Sequence, residues 1–312
     1  MKKIMTVTLN PAVDKTYTTQ GVIVGNVNRM RTVMNIAGGK GVNVTKILRQ
    51  YGCEVVATGF LGGYSGRFIE EELEKRGARC RFVHVSGETR SDMNILADDG
   101  YVTEILEPGP VITDEERQQF LAQYDALLSE CGLVVLSGSV AQGIEADIYE
   151  TLTTRAKASS VPVYLDSSGE SLRLGMLAKP QLVKPNIKEL EYIMGRRIMD
   201  REEIIESAKL LRRKGIPRVI VSMGSKGLLS VTGHGVLYAR AADIEPVNTV
   251  GCGDSVVASY AMSYVMRETE EAALIRACAI AAANATTVES ASIPLETAKD
   301  LMNKIILEKM DI

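Results

Sequence analysis

Short apolar runs alternate with longer amphipathic stretches along most of the chain. The runs at 55–60, 133–136, 161–165, 182–183 and 219–222 carry Val, Ile and Leu and are bounded by Gly, Pro or charged residues. Unbroken apolar character in so short a run predicts strands covered on both faces. Between them the apolar positions fall at helical spacing. Val42, Val44, Ile47 and Leu48 mark 41–51; Phe120, Leu121, Tyr124, Leu127 and Leu128 mark 114–130; Ile204, Ile205, Ala208, Leu210 and Leu211 mark 204–214. Thr113 and Asp114 are placed to cap the second of these helices, and Gly132 to stop it. Such alternation predicts an α/β fold, a mostly parallel sheet between helical layers. The end of the chain departs from it: 255–266, 272–288 and 295–310 read as three successive helices.

Two other stretches break the alternation. Residues of about 14–34 and 82–104 show short β-like patterns with turn residues, and Asp99-Gly100 centres a hairpin. They predict a small β-sheet projecting from the main body. No internal repeat, low-complexity tract or long linker interrupts the sequence, so residues 1–312 read as a single domain with a β lid.

Composition narrows the function classes. The formal charge is −3 and aromatic residues are 5% with no Trp, which gives no global basis for binding nucleic acid or anionic membrane. The five cysteines form no C-x-x-C pair and there are only two histidines, so neither a disulfide framework nor a zinc site is expected. The start is too short and polar for a signal peptide, and Arg276 interrupts the nearest approach to a membrane span. The expected compartment is the cytoplasm.

No P-loop, dinucleotide fingerprint or G-x-S-x-G elbow occurs. Four segments carry candidate chemistry. In Asn248-Thr249-Val250-Gly251-Cys252-Gly253-Asp254-Ser255, two glycines flank a small residue just before a helical run. Backbone amides converging at a helix N-terminus bind anions, and Asp254 beside them suits a base that takes a hydroxyl proton. Taken alone, Asp254 is also a plain helix-start carboxylate. Ala37-Gly38-Gly39-Lys40-Gly41-Val42-Asn43 opens another helix, either as a ligand loop or as a glycine-rich turn with a solvated lysine. In Lys184-Pro185-Asn186-Ile187-Lys188-Glu189, Asn186 and Glu189 form a near capping box, or else orient a hydrated Mg²⁺. Ser222-Met223-Gly224-Ser225-Lys226-Gly227 follows a strand end, where ligands of open parallel sheets sit. Arg29 and Arg90, in the lid segments, suit bidentate phosphate recognition but are also ordinary solvated charges.

In this order the motifs resemble the ribokinase-like superfamily of carbohydrate kinases, and most closely its phosphofructokinase B branch. The likeness covers nearly the whole chain. It runs from Thr8-Leu9-Asn10-Pro11-Ala12-Val13-Asp14 through Val27-Asn28-Arg29, the 37–44 loop, Gly59-Phe60-Leu61-Gly62-Gly63, Thr89-Arg90 and Leu136-Ser137-Gly138-Ser139 to Lys184-Pro185-Asn186 and Gly251–Ser255.

The resemblance implies a Rossmann-like core with a small β-sheet lid often used for dimerisation. It implies ATP- and Mg²⁺-dependent phosphorylation of a small sugar phosphate, with no nucleic-acid or membrane partner. Asp254 matches the catalytic base, and Gly251, Cys252 and Gly253 match the anion hole. Asn186 and Glu189 match the motif that organises Mg²⁺, with the contact expected through water. Lys184, Asn186, Ser222, Gly224, Lys226, Gly227 and Asn284 fall at nucleotide positions. Asp14, Gly38, Gly39, Lys40, Asn43, Arg90 and Ser139 match sugar-phosphate contacts, with Arg29 a phosphate partner from the lid. Three departures stand out: Cys252 for the usual Ala, Ala141-Gln142 for two prolines, and Asp92 for the usual Asn. The expected acceptor is fructose 1-phosphate, then tagatose 6-phosphate. A catalytically silent sugar-phosphate sensor and an ATP-binding structural protein are the alternatives.

Overall fold

The computed structural model describes residues 3–310. Its first half runs β1 (Lys3–Thr8), β2 (Ala12–Thr19), β3 (Thr32–Gly38), α1 (Lys40–Gln50), β4 (Val55–Leu61), α2 (Gly63–Lys75), β5 (Arg79–His84), β6 (Arg90–Ala97), β7 (Val102–Leu106), α3 (Asp114–Leu128) and β8 (Cys131–Ser137). It continues with α4 (Ile148–Ala158), β9 (Val163–Asp166), α5 (Gly169–Gly175), β10 (Leu182–Val183), α6 (Ile187–Met194), α7 (Arg201–Arg213), β11 (Arg218–Ser222), β12 (Leu228–Thr232), β13 (Gly235–Arg240), α8 (Cys252–Met266), α9 (Glu270–Ala285), α10 (Leu295–Met302) and β14 (Ile306–Met310).

The large sheet has the order β14-β13-β12-β11-β10-β9-β8-β1-β4-β5. Strands β11 to β5 along this order pair in parallel, and β12, β13 and β14 extend one edge antiparallel. The run Leu133-Val134-Val135-Leu136 shows why periodicity is absent from its strands. Val134 and Leu136 pack into one core with α3, α4 and α7, while Leu133 and Val135 pack into the opposite core with α1, α8 and α9. Both faces are dry, so every position is apolar. A third cluster seats Ile69 and Leu73 of α2 against Phe82, Val42 and Val13. The strand order reverses between β1 and β8, leaving a crevice beyond their C-terminal ends where ligands of such sheets bind.

A separate sheet, β3-β2-β6-β7, grows from the ends of β2 and β3. Its β6–β7 hairpin turns through Gly100 at φ +86°, as Asp99-Gly100 predicts. The limits differ from the expected 14–34 and 82–104. Residues 82–84 belong to β5 and pair with β4 in the large sheet, and 20–31 form a loop between β2 and β3.

Two further expectations need correction. The α3 cap is as read, a capping box in which Thr113 Oγ1 accepts from the Glu116 amide and Glu116 accepts from the Thr113 amide. Gly132, however, does not stop α3; it lies inside β8, because Cys131 already pairs with Lys3. The third terminal helix ends at Met302, and Ile306–Met310 is a strand. Ile305-Ile306-Leu307 puts apolar residues side by side. An extended chain resolves this by burying Ile305 and packing Leu307 on the core while Ile306 faces out. The open edge of β13 supplies the hydrogen-bond partners.

Candidate active site

The loops singled out in the sequence converge on one cleft of about 780 Å³ at the C-terminal ends of the parallel strands. Gly251 caps α8 in the left-handed conformation, φ +82°, and the first-turn amides of the helix face the cleft floor. A Cβ on Gly251, already at a φ that favours glycine, would lie 3.2 Å from the Ala291 amide, and one on Gly253 3.2 Å from Lys184 Nζ, close enough that the lysine would have to shift. Asp254 sits in the same first turn, buried, with Oδ2 accepting from Asn43 Nδ2 of α1 at 2.8 Å. The sequence segments around Asp254 and Asn43, far apart in the chain, thus meet at one carboxylate.

Asp166, at the end of β9, was not anticipated. It is fully buried, and its Oδ1 lies 3.2 Å from both Lys40 Nζ and Lys184 Nζ. Burial works against the Asp166 charge, but the two ammonium groups outweigh it and hold the carboxyl below its usual range. Burial likewise opposes charge on Lys40, but Asp166 and Asp254 hold it fully protonated, above its ordinary value. Asp254 is shifted the other way: burial, together with Asp166, raises it against Lys40, Asn43 and Lys184. A raised carboxylate is a stronger proton acceptor, which suits a general base.

On one side of Asp254 the cleft is polar. Asp14, Asn10, Arg90, Asp92 and Ser139 line it, and buried Asn10 Oδ1 and Asn43 Oδ1 have no hydrogen-bond partner. Such orphaned acceptors suit the hydroxyl donors of a polyol. Arg90 is engaged by Asp92 at 2.6 Å. Burial and Asp92 push the Asp14 carboxyl up to about 7. On the other side, Gly224, Ser225 and Gly227 precede a wall of Leu228, Ala241, Ala242, Ile244, Ala281 and Ala282. That slot, flanked by polar groups, suits a flat heteroaromatic base.

Five expected residues lie elsewhere. Arg29 is exposed on the 20–31 loop, outside the cleft of its own chain. Gly38 does not line the cleft but backs the Asp14 carboxyl, where a Cβ would approach to 2.1 Å. Lys226 lines a second cavity with Tyr238 and Arg240. Asn284 is buried behind the glycine loop, donating to Val250 O at 2.8 Å and accepting from the Ala291 amide at 2.8 Å. Glu189 closes a capping box on α6 with Asn186, while Asn186 itself lines the cleft.

Among the described residues no group of three or more His, Cys, Asp or Glu could cage a metal. Mg²⁺ needs no such cage, since it takes one or two carboxylates and completes its shell with water and substrate phosphates. The unpartnered Oδ2 of Asp166, which sits behind the cleft-lining Lys40 and Lys184, and the side chain of Asn186 in the cleft wall offer such sparse ligation.

An anion-binding helix end beside a buried carboxylate, between a polyol side and an apolar base slot, has the layout of a phosphotransferase acting on an alcohol. The chain belongs to the family described as pfkB family carbohydrate kinase, whose model matches residues 4–298, and it is a sugar kinase. Its fold is similar to that of a Thermotoga maritima protein described as a possible 1-phosphofructokinase. That likeness has 29% identity, a TM-score of 0.90, and covers 99% of this chain and 100% of that one. It is also similar to phosphofructokinase-2 from Escherichia coli in a tetrameric inhibited form, at 25% identity and TM-score 0.88, covering 97% of this chain and 99% of that one.

Proposed function

We propose that the protein transfers the γ-phosphate of ATP to the free primary hydroxyl of a ketohexose monophosphate, with fructose 1-phosphate as acceptor and a 1,6-bisphosphate as product. The observation that carries this reading is the Asp254 carboxylate held by Asn43 in the first turn of α8, directly beside the Gly251–Gly253 amides. Asp254 takes the hydroxyl proton as the alkoxide oxygen bonds to phosphorus and ADP leaves. The α8 amides receive the charge that develops on the phosphoryl oxygens, and Lys40 and Lys184, both paired with Asp166, add to that field. Asp14 and the orphaned Asn oxygens orient the sugar hydroxyls. The apolar wall takes the adenine. Asp166 and Asn186 would hold Mg²⁺, directly or through water, and the ion would supply charge neutralisation to the nucleotide phosphates. The choice of fructose 1-phosphate is supported by the ordered motifs and by likeness to the Thermotoga protein.

The test is sugar-stimulated ADP release over a panel of ketohexose phosphates, free ketohexoses and nucleosides, with kcat/KM compared. Fructose 1-phosphate should lead; a tenfold preference for tagatose 6-phosphate would reassign the acceptor, and no stimulation by any sugar phosphate would reject the reading. Asp254→Asn should lower turnover about 10²–10⁴-fold while nucleotide affinity persists.

A further inference from the structure

Lys46, in the middle of α1, is 1% exposed. A lysine so buried needs a reason, because moving an ammonium out of water is costly unless its hydrogen bonds are replaced. Here they are replaced by backbone carbonyls: Nζ donates to Ser290 O at 2.7 Å and to Ala37 O at 3.2 Å, with Glu289 Oε1 at 3.8 Å. Those two carbonyls belong to parts of the chain with different tasks. Ala37 is near the end of β3, opposite Val13, where the small sheet meets the Gly38-Gly39 loop. Ser290 precedes Ala291, a non-glycine residue in the left-handed region at φ +58°. That turn is held in place from both sides. The Ala291 amide donates to Asn284 Oδ1, and Asn284 Nδ2 donates to Val250 O, immediately before the glycine loop, and to Cys252 Sγ at 3.4 Å. Gly251 itself packs against the Ala291 amide.

We propose that Lys46 is a positioning residue that fastens the root of the small sheet to the turn supporting the Gly251–Gly253 amides. It touches neither substrate nor phosphate. Through Ser290 it fixes the Ala291 turn, through Asn284 that turn fixes Val250, and so the anion-binding amides keep their aim. Through Ala37 the same ammonium ties that aim to the strand that presents Asp14's partner residues. Burial lowers the Lys46 ammonium to about 8, against Glu289, Asp14 and Asp254; Arg76, at the end of α2, lowers it further. The fastening therefore weakens at mildly alkaline pH.

The kinetic part of the inference rests on the kinase reading; the structural part does not. In Lys46→Met, amide hydrogen exchange in the peptide 247–256 should accelerate at least fivefold while α3 and α4 stay unchanged. kcat should fall at least tenfold, with KM for ATP within threefold of the unmodified protein. In the unmodified protein kcat should decline along an alkaline limb near pH 8, and Lys46→Arg should retain activity and lose that limb. The Lys46→Arg profile decides the matter should Lys46→Met fail to fold. Unchanged exchange at 247–256, or an alkaline limb that survives in Lys46→Arg, overturns the proposal. Faster exchange in a protein that phosphorylates no sugar supports the fastening and rejects only the kinase reading.

Discussion

The Asp14 carboxyl pays for its place in the cleft. It is half-buried in the cleft wall, and desolvation together with Asp92 raises it from 3.8 to about 7, against Lys46 and Arg90. The unfolded chain releases the same proton near 3.8, so the stability this group contributes is complete below that pH and is lost as pH rises toward 7. Above 7 the folded protein carries the cost of that half-buried charge, at most about 4 kcal/mol. Asp14→Asn removes that cost. The variant should unfold at a higher temperature than the unmodified protein at pH 8, with the gap closing by pH 4, while kcat/KM for the sugar falls at least tenfold. Thermal unfolding at the two pH values, beside one kinetic assay, checks both halves. A variant no more stable than the parent at pH 8 would show that Asp14 is not charged at a cost in the folded state.

At the scale of elements, α6 poses the question of whether a motif is a cap or a metal organiser. Asn186 Oδ1 accepts from the Glu189 amide, and Glu189 Oε2 accepts from the Asn186 amide, both at 2.9 Å. Those bonds stabilise the helix whatever else the residues do, and losing such a cap costs about 1 kcal/mol. Glu189→Gln separates the roles, because a Gln at that position still completes the box. Its melting temperature should stay within about 2 °C of the parent, since less than 0.5 kcal/mol is at stake. The Mg²⁺ concentration for half-maximal turnover should rise about tenfold if the Glu189 charge helps hold the ion, as groups that orient a metal's ligands do. An unchanged Mg²⁺ demand would leave only the cap.

The same scale shows what could be read from the sequence. Glycines at Gly39, Gly251 and Gly253 mark backbone that must bend or be approached closely, and that requirement is local, so the loops could be found before their partners were known. The buried strands were legible for the same reason, as apolar runs such as Leu133–Leu136 cannot be anything exposed. Asp166 was not legible. It ends an ordinary strand, and its meaning comes from Lys40 and Lys184 across the fold. Nothing in the sequence singles out Lys46 among the residues of the 41–51 helix; only the distant 289–291 turn gives it a role. The β14 strand was missed because its pairing partner, β13, lies far earlier in the chain.

For the whole molecule, the small sheet leaves apolar surface uncovered. Val24 is 94% exposed, Val27 80%, Leu106 62% and Val33 58%, all on its strands or on the loop between β2 and β3. Arg29 lies on that loop, away from its own cleft. A two-fold dimer formed through the small sheets would cover this surface and carry each Arg29 toward the other chain, since a symmetric interface places the same patch on both partners. Val33→Asp should then yield a monomer by sedimentation. Arg29→Ala should raise KM for the sugar phosphate at least fivefold, and Val33→Asp should reproduce that loss. Mixing decides whether Arg29 works across the interface. Asp254→Asn and Arg29→Ala chains are unfolded together, refolded at equal amounts and assayed at sugar phosphate well below KM, where each is weakly active alone. Half the dimers are then mixed, and in each of these one cleft combines an intact Asp254 with the other chain's Arg29. The mixture should regain about a quarter of the parent's activity under statistical pairing. A mixture that shows only the average of its two components would place Arg29 outside the partner's cleft and leave the small sheet without a role in catalysis by the neighbouring chain.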